Sequence, residues 1–480
     1  MQHRSNAHLL VASFSRTSFS RTSFSRTLRR VSGACLSLGA AALTLCCESQ
    51  AVDLGGDTVA QGLTRASRCA ESGRIEDDIV IGSQVELAAL AGCEEIGGNL
   101  IVKLFPGADL TPLSSLRVVE GQFALGVQQS WDQILGYQIS DYFDEQVDLI
   151  RAGWLQSLVG VQSLERVGSL FLRGLPDADL SAFESLGLVA GDDDLGFIGQ
   201  VILQQNLELR DLTGFEDVQG VKNLVVTLSP SLESLSGFAP GAQLGSISLY
   251  TSPALTDLGA LAQVSALDGL ILYQIGISDL DDLAALGSVR DGLSITGNLS
   301  LEDASGLALQ QQAPERISIT GNAVLQLLPP FSGFASQPKM LQIRDNPALE
   351  TLALDFANAQ TQSYFLEGFA GQPDSVSVEL GMDVIDIRNN QSLQSLSVRS
   401  GLTLAQLMVV GDNAALESVD FGSLSQLGQL SMTNNAALSR IGIGALARVA
   451  SLQVTGNPLL PTAVFDGVQT FSRDVDGNAD

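Results

Sequence analysis

The chain has 480 residues and a net charge of −28; 45% of its residues are hydrophobic, 5% aromatic and 16% charged. That composition excludes a disordered chain and calls for an aliphatic core built from many small, similar layers. The length leaves room for about three average domains, and so acidic a chain is a poor partner for nucleic acid.

Residues 1–47 stand apart. They hold Arg4, Arg16, Arg21, Arg26, Arg29 and Arg30 and no acidic residue, which leaves 19 basic against 53 acidic side chains in the remainder. Ser-Phe-Ser-Arg-Thr occurs three times in tandem between 13 and 27, and an apolar stretch then runs from Val31 to Leu45. A basic run followed by a short apolar one is the layout of a secretory signal; a mitochondrial-type presequence, also rich in Arg and Ser, is the other reading. The stretch falls short of the roughly 20 residues a membrane span needs. Cys46 after Leu43-Thr44-Leu45 resembles the bacterial lipoprotein signal, in which such a cysteine is lipidated and becomes the new N-terminus. The pattern departs at Leu45, where that signal carries a small residue. Lipidation of Cys46 and plain cleavage both stay open; a lipid would tie the protein to a membrane surface without a spanning helix. No later segment is long and apolar enough to span. His3 and His8 are the only histidines. A processed chain therefore has none, which removes His-based triads, most zinc sites and the commonest general base. Residues 48–68 read as a linker.

The body is periodic. Its clearest copies read Leu341-Gln-Ile343-Arg-Asp-Asn346-Pro-Ala-Leu349-Glu-Thr-Leu352 and Ile385-Asp-Ile387-Arg-Asn-Asn390-Gln-Ser-Leu393-Gln-Ser-Leu396. Asn206, Asn298, Asn322, Asn413, Asn435 and Asn457 occupy the same slot, as do Ser229, Ser252 and, in a degenerate copy, Ile275. From Asn206 the slots follow at 23, 23, 23, 23, 24, 24, 44, 23, 22 and 22 residues, the 44 being read as two turns with one copy obscured. Two apolar residues about one spacer make a short strand with alternate side chains inward. The Asn ends the strand and turns inward, where its amide both donates and accepts and so satisfies backbone groups at the corner. Stacked coils turn these amides into a ladder. Leucines three apart bring the chain back, and Phe215, Phe238, Leu261 and Leu307, nine residues after their slots, form an internal spine. No coil buries its apolar face alone; stacking does it.

The period and the Leu-x-Leu-x-x-Asn core resemble leucine-rich repeats, except that the next leucine comes three residues after Asn rather than two. With Ile96-Gly-Gly-Asn-Leu100-Ile-Val102, Val119-Glu-Gly-Gln-Phe123-Ala-Leu125 and Val167-Gly-Ser-Leu170-Phe-Leu172, the body is closer to the receptor L-domain family. That resemblance covers roughly 69–470 and implies a right-handed parallel β-helix with ~22–24 residues per coil, as in growth-factor and insulin receptors and many microbial surface proteins. About 15 coils at ~4.8 Å each give a rod of about 70 Å. The cysteine-rich modules, spanning helix and kinase of the animal receptors are missing, so signalling does not carry over. Cys69 and Cys93, the only cysteines of the body, lie about one coil apart near the first cap. A disulfide between them suits an oxidising compartment and matches cysteine usage near the start of L domains; two free buried thiols are the alternative.

Two stretches break the phase: 126–160, with Trp131, Tyr137, Tyr142, Phe143 and Trp154, and 355–383, with Phe356, Tyr364, Phe365 and Phe369. Insertions in solenoids become loops on one face, often the binding face; short helices packed over the coil are the other reading. On the outward sheet face one column runs Phe171, Ile202, Val225, Ser248, Ile271, Ser294, Ser318, Gln342, Asp386. Its neighbour runs Arg173, Gln204, Thr227, Tyr250, Tyr273, Thr296, Thr320, Arg344, Arg388. Polysaccharide-cleaving β-helices cluster carboxylates on adjacent coils; here only Asp386 qualifies, beside two arginines. Ile202, Val225 and Ile271 beside Tyr250 and Tyr273 form an apolar-aromatic strip, read as a docking patch for protein or glycan or as stacking that merely stabilises the sheet.

Asp474-Val-Asp476-Gly-Asn478-Ala-Asp480 alternates oxygen ligands about a Gly, as calcium loops do, but lacks a closing Glu; 471–480 is expected to be a disordered acidic tail. Asp192-Asp193-Asp194 and Asp281-Asp282 read as solvated corners. Asn298 and Asn390 match glycosylation acceptors yet sit in the inward ladder and should stay unmodified. There is no phosphate loop or dinucleotide fingerprint, and no metal or cofactor is implied. The expectation is a non-catalytic binding or adhesion protein, secreted or held at the cell-envelope surface, as an outer-membrane lipoprotein if Cys46 is lipidated. A purely structural envelope protein and a glycan-active β-helix enzyme are the alternatives.

Overall fold

Each coil opens with a strand of alternating burial. In Arg316–Thr320, Ile317 and Ile319 point inward while Ser318 and Thr320 are half-exposed. Met340–Arg344 beside it repeats the pattern in parallel register and pairs in turn with Met382–Arg388, Ile319 facing Ile343 and Ile343 facing Ile387. The same pairing joins a 19-stranded parallel sheet, and the whole is a parallel β-solenoid of about 15 turns with almost no helix. The computed structural model describes residues 69, 72–127, 150, 153–189, 199–238, 241–357, 362–366, 376–399, 401–402 and 404–479. Residues 1–68, with Cys46, His3 and His8, lie outside the described residues, as do Trp131, Tyr137, Tyr142, Phe143, Phe369 and Asp192-Asp193-Asp194. Among the described residues no helix is long and apolar enough to cross a membrane.

The asparagine slot is the corner post the spacing predicts. Asn206, Asn298, Asn322, Asn346, Asn390, Asn413, Asn435 and Asn457 are all 0% exposed. From Asn298 to Asn457 each amide links its own rung to the ones before and after it. The Nδ2 of Asn322 donates to the Ile295 carbonyl at 3.0 Å and to Oδ1 of Asn346 at 3.1 Å. Its Oδ1 accepts the backbone N–H and Nδ2–H of Asn298 at 3.0 and 3.2 Å. Asn346, Asn390, Asn413, Asn435 and Asn457 continue the chain in the same way. At Ser229 and Ser252 the hydroxyl turns to the carbonyl two residues back, so the ladder is interrupted there. Because Asn298 and Asn390 spend their amides in this way, neither presents a nitrogen for glycosylation.

The residue before the slot is left-handed in nearly every rung. Gly297, Gly321 and Gly456 adopt φ of 67°, 71° and 70°, but so do non-glycines: Leu228 at 54°, Thr251 at 47°, Asn389 at 59° and Asn434 at 57°. The tight exit from the strand is what swings the next side chain inward.

A second polar ladder caps the strand entries of the first coils. Asp78 Oδ1 accepts from the backbone N and the Nδ2 of Asn99 at 2.7 and 2.9 Å. Asn99 Oδ1 takes the Gln122 N–H at 2.7 Å, and Ser169 Oγ the Gln200 N–H at 3.0 Å. Across the core the return path is lined by leucines three apart and by the spine: Phe215, Leu261 and Leu307 are buried, with Phe238 packed beside Phe215 at a centroid distance of 5.7 Å. Towards the C-terminal end this side becomes a second parallel sheet, Thr351–Leu354, Ser395–Val398, Ser418–Asp420 and Arg440–Gly442.

Three expectations need correction. The 44-residue interval is one turn, not two: Asn390 Oδ1 accepts the Asn346 N–H directly, at 3.1 Å. The surplus leaves the coil after Phe356 and includes an antiparallel pair, Gln362–Leu366 with Val376–Leu380, in which Gln362 faces Leu380. The expected disordered tail is ordered over 471–479. Gln469–Asp476 pairs in parallel with Arg448–Thr455, and Asn478 Oδ1 closes the ladder on the Asn457 N–H at 3.0 Å. Asn478 follows Asn457 by 21 residues and is therefore in phase; the surrounding aspartates hide the pattern. Finally, Asp282 is more than a solvated corner, since its Oδ2 accepts the Leu258 N–H of the previous coil at 3.0 Å. A further lengthened turn went unread: Leu170 pairs with Val201, and Ser169 and Gln200 are 31 residues apart.

One aromatic side chain from each insertion belongs to the core. Trp154 is buried and its Nε1 donates to the Gly174 carbonyl at 2.9 Å. Phe356 stacks on Phe331 at 5.8 Å. Cys69 and Cys93 form a disulfide with Cα atoms 5.0 Å apart, joining the first two coils where Arg74–Ile75 pairs with Glu95–Ile96.

Candidate functional site

Parallel register carries like positions into columns, so the outer sheet face follows directly from the strand pairs. Phe171, Ile202, Val225, Ser248, Ile271, Ser294, Ser318, Gln342 and Asp386 are consecutive partners, as are Gln204, Thr227, Tyr250, Tyr273, Thr296 and Thr320. The predicted strip residues therefore do share one face. They do not share one exposure. Ile202 is 6% and Ile271 8% exposed, while Val225, Tyr250 and Tyr273 are half-buried. Ile202 belongs to a separate small apolar cluster with Ile101, Ala124 and Phe171 on the outer face of the early strands. What remains accessible is centred on the two tyrosines.

Tyr250 and Tyr273 sit side by side on neighbouring strands, ring centroids 6.1 Å apart and planes tilted by 49°. Burial pushes the Tyr250 phenol above its ordinary range, and a hydrogen bond with Ser248 offsets this only in part, so it stays neutral at physiological pH. Around the pair stand hydroxyls and amides. Ser294 and Thr296 share a hydrogen bond of 3.2 Å, Ser318 and Thr320 one of 3.3 Å, and Thr251 meets Gln274 at 3.4 Å. From Gln200–Gln204 to Ser288–Thr296 neither column carries a charge.

The strip ends at an ion triad. Asp386, 3% exposed, lies between Arg388, which donates from Nε and Nη2 at 2.7 Å each, and Arg344, which donates from Nη2. Asp386 holds the Arg388 guanidinium well above its usual range, with Asp412 and Asp345 adding to the effect. Both arginines are thereby matched within the protein, and Asp386 is committed to them.

A groove of about 770 Å³, which sequence reasoning did not find, opens at the entry ends of the strands that carry the tyrosines. Gln243, Gln263, Gln311 and Gln312 line it together with Lys222 and an Arg290–Asp268 ion pair of 2.9 Å. These residues come from strand starts and the turns before them, where the repeat has no fixed letter. Only their coincidence over five coils marks them. No family model matches the chain, and no curated protein shows significant similarity to it.

Proposed function

We propose that this is an exported, non-catalytic binding protein that presents the outer face of its solenoid to a protein or glycan partner. The arginine-rich leader with its short apolar run supports export, and the Cys69–Cys93 disulfide suits an oxidising compartment. On this reading the protein works at the cell-envelope surface or outside the cell, anchored there by a lipid if Cys46 is modified. The observation that carries the binding role is the uncharged, partly aromatic strip around Tyr250 and Tyr273 on a chain of net charge −28. Large rings held half in solvent are the kind of surface that supplies binding energy at little entropic cost.

The test is capture of native envelope components on the immobilised full chain, compared with a Tyr250→Ser/Tyr273→Ser variant whose fold is verified by circular dichroism. The expected result is loss of at least one captured component with the variant. Identical capture by both proteins removes the role assigned to this face.

A further inference from the structure

We infer that the partner is a neutral glycan, bound on the three strands Gln243–Ser252, Ala266–Ile275 and Ser288–Thr296. The inference rests on the docking role just given and assigns the chemistry of what docks.

Charge decides first. Every outward side chain of these strands at the level of the tyrosines is uncharged: Ser248, Ile271 and Ser294 in one column, Tyr250, Tyr273 and Thr296 in the other. The rest of the chain carries a large excess of acid. A polyanion meets repulsion on approach and no cation among these six side chains; the cations of the neighbouring groove are Lys222 and Arg290, the latter paired with Asp268. A second copy of this acidic chain meets the same repulsion. A cationic partner finds no carboxylate among these six side chains: Asp386, further along the column, is held by two arginines, and Asp268 and Asp291 stand at the strand entries, Asp268 paired with Arg290. What is left is a neutral ligand.

Shape and chemistry then select among neutral ligands. The two rings make one aromatic platform spanning adjacent coils. Sugar rings present a face of C–H groups that stacks on such platforms, and hydroxyls at their rim that need donors and acceptors. Ser and Thr hydroxyls flank the platform. The glutamines of the groove add planar amides that can donate and accept at once: Gln243 and Gln263 come from these strands and the turns before them, Gln311 and Gln312 from the turn before the next strand, Arg316–Thr320. Coils repeat every ~4.8 Å, close to the length of one pyranose residue. A linear glycan lying across the strands therefore meets a fresh pair of outward side chains at each sugar.

Affinity electrophoresis of the full chain tests this, in gels holding a soluble β-1,4-glucan derivative, a β-1,3-glucan or an arabinoxylan, with polygalacturonate as the acidic comparison. Expected is retardation in at least one neutral gel and none in polygalacturonate. Tyr250→Ser/Tyr273→Ser should weaken binding at least tenfold, while Tyr250→Phe/Tyr273→Phe, which keeps the rings, should retain it. Gln243→Ala/Gln311→Ala should weaken it severalfold. No retardation in any neutral gel overturns the assignment, and so does retardation that the double Ser variant leaves unchanged. If the gels show nothing but the double Ser variant loses a captured envelope protein, the glycan falls and the docking role stands. If it changes neither, both fall.

Discussion

Leu228 and Thr251 sit at φ of 54° and 47°, where glycine or asparagine stands in other coils. A left-handed backbone costs an L-residue roughly 1–2 kcal/mol, and a β-branched one more. Leu228→Gly should therefore raise stability, by up to about 1 kcal/mol once glycine's greater freedom in the unfolded chain is set against it. Gly321→Ala is the mirror experiment. Its added Cβ would meet nothing closer than 3.8 Å, so the loss of about 1 kcal/mol would report backbone strain alone. Urea denaturation of both variants checks the pair; equal midpoints for all three proteins would contradict the strain. The ladder gives the larger effect. Asn390→Ala leaves the Asn346 N–H and the Ile343 carbonyl buried without partners, and should cost about 3 kcal/mol. A thermal melt unchanged from the parent would mean that these amides are ornaments of the fold rather than supports.

At the scale of the coil, the legible part of the sequence was what recurs. Apolar residues about one spacer, an inward Asn and leucines three apart must recur because each coil solves the same burial problem against the same neighbours. That is why the register of the columns could be written down before the pairing was known. What does not recur was misread. The interval between Asn346 and Asn390 is close to twice the period, so an excursion from one coil imitates two coils. The pairing of Leu341 with Ile385 shows that the strands on either side are immediate neighbours. The excursion should then be dispensable for the rod. Gln362 faces Leu380 in an antiparallel pair, so 363–379 can be replaced by Asn-Gly as a tight hairpin turn. The shortened protein should keep its far-ultraviolet spectrum and stay within about 1 kcal/mol of the parent; collapse of the spectrum would show that the excursion braces the coil. The last coil was missed for a different reason. Alternate Asp residues look like a solvated tail, because one sequence does not show that Asn478 meets Asn457.

For the solenoid as a whole, the candidate site was legible as a face and not as a surface. Alternation tells which side chains point outward, but not how much of each stays accessible. Ile271 lies between Ser248 and Ser294 and is nonetheless 8% exposed, so an outward isoleucine is not an exposed one. The groove was invisible because its residues come from turns that share no letter. The disulfide acts at the same scale, since it pins the first two coils to each other and closes a loop of 24 residues. Cys69→Ser should lower stability by about 3 kcal/mol on the loop-entropy model. Alkylation without prior reduction should leave both thiols of this pair unlabelled, and labelling after reduction should reach both; labelling of either beforehand would show that the bond does not form.

The amide ladder also has a direction. In every coil from Asn298 onward, the buried N–H of the corner is received by the Oδ1 of the coil that follows it in the chain. A ribosome makes the donor first and the acceptor one turn later. The newest corner of a nascent chain is thus always one acceptor short, and only translation of the next turn completes it. A chain cut short after any of these coils would leave its last corner N–H without that acceptor.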